Sequence, residues 1–236
     1  MNGVTAWLQS LDWQWLFTTV ITVAAALLCI TFHELCHGFV AYKLGDPTAK
    51  NRGRLTLNPI KHVDIVGLIM MAVFHVGWAK PVPVNAGYFK NPKKGMAVTA
   101  LAGPVSNVVL AFLTGWLTYG CLYLLFLLGP GSSLWIPAQY LYLFFYYTTV
   151  LSVGLAVFNL LPFPPLDGSK ILFAFLPDRA WLWLMRYERY FGLVLFALLY
   201  LNVLDMPLDF LRNGLTKFVT YLPDLVLNGG EGGMFF

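Results

Sequence analysis

Charged residues are scarce in this chain of 236 residues, since lysine, arginine, aspartate and glutamate together make up 11% of it. Hydrophobic residues make up 58% and aromatic residues 17%, which leaves too little charge to cover a water-soluble surface. The composition therefore excludes an ordinary soluble domain. It predicts an α-helical polytopic membrane protein, for which the lipid bilayer is one partner.

Cysteines and basic clusters are also few. Cys29, Cys36 and Cys121 are too isolated to form a disulfide framework, and two of them fall in apolar runs, where we expect small core residues. The net charge of +4 is small, and no basic patch interleaved with aromatic residues is present. Nucleic acid is therefore excluded as a partner.

Long apolar runs define the candidate membrane segments. A helix rises 1.5 Å per residue, so the twenty residues 13–32 suffice for a hydrocarbon core of roughly 30 Å, and we expect this span to remain in the mature chain. The run 96–128 is longer than a bilayer needs, so Gly103 and Pro104 are expected to start or kink its helix. Further spans are expected at 137–161 and 190–204.

A shorter apolar run, 65–79, is interpreted as a re-entrant or hairpin excursion because a helix of that length would not cross the core. The expected fold has about four to six membrane segments, with a short membrane-associated β or re-entrant element around 65–90. We expect one membrane-embedded domain, residues 1–228, followed by a flexible tail at 229–236.

The distribution of positive charge predicts the orientation of these segments. Nine of the fifteen lysines and arginines lie between residues 43 and 94, and four more lie between 170 and 189. By the positive-inside rule both regions face the cytoplasm, and the uncharged connection 129–135 lies on the opposite side.

The motif that carries chemistry is H-E-x-x-H, formed by His33, Glu34 and His37 at the end of the first apolar run. Residues four apart on a helix project from the same face, so the two imidazoles are able to bind one zinc ion while Glu34 takes a proton from the bound water. The alternative is a polar patch at the end of a helix. Ionisable residues at the margin of a membrane span favour the functional interpretation.

A catalytic zinc site needs a third protein ligand, and Asp167 is the candidate. It follows the span 137–161 and, by the charge distribution, lies on the same side of the membrane as the motif. Three prolines, at 162, 164 and 165, prevent a helix from continuing there, and Gly168 allows an unusual backbone angle just after the proposed ligand.

Four segments together resemble the site-two protease family, the intramembrane zinc metalloproteases of peptidase family M50. They are "HELCHG" at 33–38, "GWAKPVPVN" at 77–85, "AGPVSN" at 102–107 and "NLLPFPPLDG" at 159–168. The resemblance implies one zinc held by His33, His37 and Asp167, with Glu34 as general base. It also implies regulated intramembrane proteolysis of a transmembrane protein or peptide substrate, in a bacterial or archaeal cell membrane, by a small form without a PDZ-like or nucleotide-sensing domain.

Asn159 is a second candidate catalytic residue, which the resemblance implies contacts the substrate backbone or the oxyanion. An uncharged amide donor could stabilise the developing oxyanion by about 3 kcal/mol, as in other hydrolases. The alternative is a packing or capping asparagine. Asn107 is expected to hydrogen-bond between helices, His62 and His75 to be structural or solvated, and Cys36 to pack on a flank of its helix.

Alternating proline and valine predict an extended segment at residues 80–89. Such a segment could pair with an extended substrate by β-augmentation, or it could be a rigid connector. Two other classes of protein compete with a protease, namely a metal transporter or channel and a non-catalytic scaffold. The chain has no internal repeat and its ligands cluster on one side, which argues against a transporter, and the scaffold is disfavoured because all four core residues are present.

Overall fold

The computed structural model describes residues 12–64, 66–67 and 79–228. The helices are α1 (Trp13–Lys43), α2 (Thr48–Asn51), α3 (Pro92–Leu128), α4 (Trp135–Leu160), α5 (Asp167–Phe173), α6 (Asp178–Tyr200) and α7 (Asp205–Asn228). Short 3₁₀ turns occur at Pro59–Lys61 and Ala86–Tyr88. An isolated antiparallel bridge pairs Val63 with Ala79, and the described residues contain no β-strand.

Three helices, α1, α3 and α4, are long and apolar enough to cross a membrane. A fourth, broken span is possible by the same criterion, because Arg186–Tyr200 and Asp205–Val226 meet at an angle of 86°. The predicted run 190–204 therefore extends over the end of α6 and the bend after it. The predicted class is confirmed: this is an α-helical integral membrane protein.

The core lies where α1 and α7 pack against the pair α3 and α4, and much of it is small or hydroxyl-bearing. The hydroxyls of Thr114 and Thr149 are 2.9 Å apart, and Sγ of Cys29 lies 3.1 Å from Oγ of Ser152. Such polar contacts let membrane helices approach closely and associate. The central apolar residues are Ala111, Val153, Val157 and Val219.

The first helix does not end on the metal-binding motif, as the apolar run had suggested. It continues to Lys43, because residues 33–43 include no proline and the helix is broken only by Gly45, whose φ is +104°, with Pro47 following. The motif therefore lies inside a regular helix. Regular helical geometry therefore sets the spacing between the side chains of His33, Glu34 and His37.

Helix α3 does not begin at Gly103 and Pro104, so that part of the prediction is wrong. It begins at Pro92, after Asn91, whose side chain accepts a hydrogen bond from the Lys94 N–H at 3.1 Å. Asparagine at the N-cap followed by proline is a strong start signal. Pro104 lies within the helix, whose 37 residues are about 55 Å long.

The extended segment predicted at 80–89 is shorter than expected. Residues 80–85 are not helical, and the Lys80 N–H donates to the His62 carbonyl at 2.9 Å. The chain then forms the 3₁₀ turn, because the Asn85 side chain accepts from the Gly87 N–H at 3.0 Å. Most of the predicted re-entrant run, including His75, and the tail 229–236 lie outside the described residues.

Candidate metal centre

Two imidazole nitrogens and one carboxylate oxygen converge between α1 and the first residue of α5. Nε2 of His33 lies 3.0 Å from Nε2 of His37. Oδ2 of Asp167 lies 3.2 Å from Nε2 of His33 and 3.1 Å from Nε2 of His37. Each of the three residues is exposed by 8% or less. The structure thus brings together the three residues that the sequence singled out as ligands.

This donor set fits zinc in type and in spacing. Catalytic zinc sites use three protein ligands drawn from imidazole, carboxylate and thiolate, and leave the fourth position open. With metal–ligand bonds of about 2.0–2.1 Å, tetrahedral geometry places the ligand atoms about 3.3 Å apart. The observed separations, 3.0 to 3.2 Å, are close to that value.

The helix spacing on α1 explains why the two imidazoles meet, and the turn after α4 explains how Asp167 reaches them. The prolines at 162, 164 and 165 end α4 and force a turn, after which α5 begins at Asp167. The turn is closed by backbone hydrogen bonds such as Leu166 N–H to the Phe163 carbonyl at 3.0 Å. The carboxylate is therefore placed at a helix start, aimed back at α1.

Gly168 serves the site for a different reason from the one predicted. It is helical within α5, and its φ is not positive. A Cβ at this position would lie 2.3 Å from the carbonyl oxygen of Leu160, in the backbone at the end of α4. Glycine is needed because α5 packs directly against the preceding helix end, and this contact sets the position of Asp167.

Residues of helix α3 contact the Nδ1 atoms of both histidines. The sequence did not reveal these contacts. Nδ1 of His37 lies 2.7 Å from the Thr99 carbonyl oxygen, so Nδ1–H donates and Nε2 keeps its lone pair for a metal. Nδ1 of His33 lies 3.2 Å from Nδ2 of Asn107. Asn107 does bond between helices, as expected, but its partner is a ligand of the candidate site. Gly103 lies between these two contacts and lets the helices approach.

Glu34 lies beside the ligand triangle without belonging to it. Its Oε2 accepts a hydrogen bond from the Val82 N–H at 2.8 Å. The backbone just before Val82 is held by Arg54, whose Nη2 donates to the Lys80 carbonyl at 2.6 Å. Burial lowers the pKa of Arg54, and the negative charge of Glu34 partly offsets that effect. The segment 80–82 therefore fixes one oxygen of the carboxylate.

The predicted site residues line one cavity of about 760 Å³. They are His33, Glu34, His37, Asn159 and Asp167. Asn159 already donates one amide hydrogen from Nδ2 to the Leu155 carbonyl at 3.0 Å, within its own helix. A second hydrogen on the same nitrogen remains for another acceptor.

The cavity has further polar walls that sequence reasoning did not assign. Lys170 on α5 and Glu188 on α6 form an ion pair at 3.8 Å. His62 is fully buried, and its Nε2 lies 2.9 Å from the Thr56 carbonyl oxygen, which agrees with a structural role. Cys29 and Cys121 are buried free thiols and Cys36 is half-buried.

The Asp167 carboxylate is kept ionised by its neighbours. Burial by itself raises the pKa of this group, but the hydrogen bonds and charges of His33 and His37 outweigh that effect and hold the pKa well below its usual range. An ionised carboxylate is the form that binds a metal.

An integral membrane protein with H-E-x-x-H on a helix, and with a carboxylate as third ligand within hydrogen-bonding distance of both histidines, has the architecture of a zinc metallopeptidase. Comparison with known proteins agrees. The model of peptidase family M50 matches residues 135–201. The chain belongs to this family, as its 40% identity to a relative over 77% of its length shows, and it is a zinc-dependent metallopeptidase.

The relatives support this assignment over most of the chain. YwhC of Bacillus subtilis, named as a zinc metalloprotease, is 40% identical over 191 residues, which is 77% of this chain and 80% of YwhC. MJ0611 of Methanocaldococcus jannaschii is 35% identical over 65% of this chain and 69% of its own length. Rip2 of Mycolicibacterium smegmatis is 32% identical over 65% of this chain and 56% of its own length. No solved structure matches the chain.

Proposed function

We propose that this protein is an intramembrane protease that hydrolyses a peptide bond in or near the transmembrane segment of another membrane protein. The supporting observation is that the three candidate ligands and Glu34 line one cavity among helices apolar enough to span a bilayer. A substrate segment in the membrane could reach this cavity without passing through bulk water.

In this proposal His33, His37 and Asp167 hold the zinc. Zinc acts as a Lewis acid that polarises a carbonyl and lowers the pKa of a water molecule. His37 keeps Nε2 available because its Nδ1–H donates to the Thr99 carbonyl at 2.7 Å. Asp167 supplies the single anionic ligand.

Glu34 serves as the general base and then as the general acid. Its Oε2 is held by the Val82 N–H at 2.8 Å, so its Oε1 is the oxygen left to accept a proton from water. The same oxygen would then deliver the proton to the nitrogen of the departing amine. The fixed contact with Val82 limits rotation of the carboxylate between the two transfers.

Two elements in the cavity wall are proposed to bind the substrate backbone. The second Nδ2 hydrogen of Asn159 can reach a carbonyl or oxyanion in the cavity. Val82 and Val84 also line the cavity, and within the described residues the Val84 N–H makes no hydrogen bond. In an extended chain, residues two apart direct their N–H groups to the same edge, so Val84 could pair with an extended substrate.

The decisive test of the proposed ligands is metal analysis combined with cleavage in reconstituted membranes. Asp167→Asn removes the anionic ligand while keeping the size of the side chain, so we expect it to lose most of the zinc and all detectable cleavage. Asp209→Asn is the matched control, because Asp209 is an exposed carboxylate paired with Arg212. Full zinc retention in Asp167→Asn would rule out Asp167 as a ligand.

Substrates can be found with the Glu34→Gln protein, which should bind membrane proteins without cutting them. We expect membrane proteins that co-purify with Glu34→Gln to appear as fragments when the parent protein is present instead. A parent protein that moves zinc across liposomes but cleaves none of its membrane partners would favour the transporter.

A further inference from the structure

Asn107 is a polar residue in the middle of an apolar helix, and it is completely buried. Its side chain makes one hydrogen bond within the described residues, between Nδ2 and Nδ1 of His33 at 3.2 Å. The other end of the amide, Oδ1, is buried and has no partner there. The single contact points to His33 as the reason for the residue.

The chemistry of His33 decides which end of the amide must face it. If Nε2 binds a metal, the remaining proton of the neutral imidazole is on Nδ1, and Nδ1–H needs an acceptor. The oxygen of an asparagine is an acceptor and its nitrogen is a donor, and a half-turn about the last side-chain bond exchanges them. Asn107 is able to meet this requirement with its oxygen at the position 3.2 Å from Nδ1.

We propose that Asn107 is a positioning residue of the metal centre, whose side-chain oxygen accepts from Nδ1–H of His33 and so fixes the tautomer and direction of that imidazole. This inference rests on the proposed role of His33 as a ligand. In this role Asn107 does for His33 what the Thr99 carbonyl does for His37. The Thr99 carbonyl oxygen lies 2.7 Å from Nδ1 of His37.

The placement of these groups on α3 supports the proposal. Thr99, Gly103 and Asn107 are four residues apart, so they share one face of the helix. A Cβ on Gly103 would lie 2.5 Å from Cε1 of His33 and 2.4 Å from Nε2 of His37, which shows how closely this face packs against both rings. One helix face therefore forms the outer shell of the metal centre. Outer-shell partners of this kind typically contribute 10-fold to 100-fold to metal affinity.

The test compares two substitutions that differ in whether the new side chain can accept a hydrogen bond from His33. Asn107→Leu keeps the approximate volume but offers no acceptor, so zinc affinity, measured by competition with a chelator, should fall by about 10-fold to 100-fold. Asn107→Asp keeps an acceptor and loses the donor, so it should bind zinc at least as tightly as the parent protein. Thr118→Val is the matched control, because Thr118 is buried on the same helix and its one hydroxyl contact among the described residues is with the Thr114 carbonyl, at 2.8 Å.

A second measurement decides the matter if Asn107→Asp does not fold. In the zinc-loaded parent protein labelled with ¹⁵N-histidine, the His33 signals should show the proton on Nδ1, shifted downfield by its acceptor, and Asn107→Leu should remove that shift. His33→Ala identifies the signal among the four histidines of the chain.

The outcomes separate this inference from the proposed function. If His33→Ala binds zinc as the parent protein does, His33 is not a ligand and the proposed site itself is wrong. If His33→Ala loses zinc but Asn107→Leu keeps the parent affinity, the site stands and the role of Asn107 is refuted. Equal losses in Asn107→Leu and in a folded Asn107→Asp would also refute it, because a packing role predicts that pattern.

Discussion

Gly103 of α3 lies directly against His37 of α1: a Cβ added to the glycine would stand 2.4 Å from Nε2 of the imidazole. That distance is far inside van der Waals contact, and Nε2 is the atom proposed to bind zinc. The absence of a side chain at one position on α3 therefore sets the distance between two membrane helices and leaves room for the metal centre.

The contact predicts that Gly103→Ala damages the site. The added methyl group must displace one or both imidazoles or move the helix, and overpacking of this kind typically costs about 1–3 kcal/mol. We expect lower zinc occupancy by metal analysis and a lower midpoint of thermal unfolding. Gly120→Ala is the control on the same helix, since a Cβ there meets no atom of the described residues within 4 Å. Equal zinc occupancy in the two variants would contradict the prediction.

Gly168→Ala should displace Asp167 in a similar way. Its Cβ would lie 2.3 Å from the Leu160 carbonyl oxygen, a backbone atom that cannot rotate away. We expect α5 to shift, so that the protein binds zinc more weakly in a chelator titration. Gly154→Ala, on α4, places its Cβ more than 4 Å from any other atom of the part of the chain that the structure describes, and it should bind zinc like the parent protein. A Gly168→Ala protein with parental zinc affinity would show that α5 tolerates the shift without moving the ligand.

Glu34→Gln should separate metal binding from catalysis. The glutamine oxygen can still accept from the Val82 N–H, which lies 2.8 Å from the carboxylate, so the fold and the zinc should both be retained. The group that accepts and returns the proton is lost, and because one residue serves in both steps the rate should fall by about 10,000-fold or more. Cleavage of a reconstituted substrate near the parent rate would exclude Glu34 as the base. A transporter or a scaffold would keep its activity after this change.

The proposed orientation predicts opposite labelling of the two ends of α3. Lys90 precedes this helix, Ser133 follows it, and both are exposed. In a Cys36→Ala background, Lys90→Cys should react with a membrane-impermeant maleimide only from the cytoplasmic side, and Ser133→Cys only from the other. Cys29 and Cys121 are buried and should stay unlabelled. Reaction of both positions from one side would refute the topology, since about 55 Å of helix separates them.

Much of the candidate site could be predicted because its first element is local. His33 and His37 are four residues apart in a chain segment with no helix-breaking proline, so the backbone of a single helix brings their rings together. The shortage of charged residues indicated a membrane protein, because a surface with so little charge must face lipid instead of water. Asp167 could be proposed from zinc chemistry, which requires a third ligand on the same side.

Other features depend on contacts between residues distant in sequence, and no local pattern encodes them. His37 and the Thr99 carbonyl are 62 positions apart, and His33 and Asn107 are 74 apart. Glycine is likewise needed at 103 because this position packs against His33 and His37 on another helix. Glu34 and the Val82 N–H are 48 apart, and their contact depends on how the segment 80–82 is held by Arg54.

The sequence alone therefore determined the class of protein and the ligands that it offers, since composition and helical spacing act over a few residues. The tertiary structure decided how those ligands are held: the full length of α1, the start of α3 at Pro92, and the close approach that makes glycine necessary at 168. The physical reason is that these features arise from packing. Whether a side chain fits beside another helix depends on the distance between the two helices, and that distance is set only when the whole chain has folded.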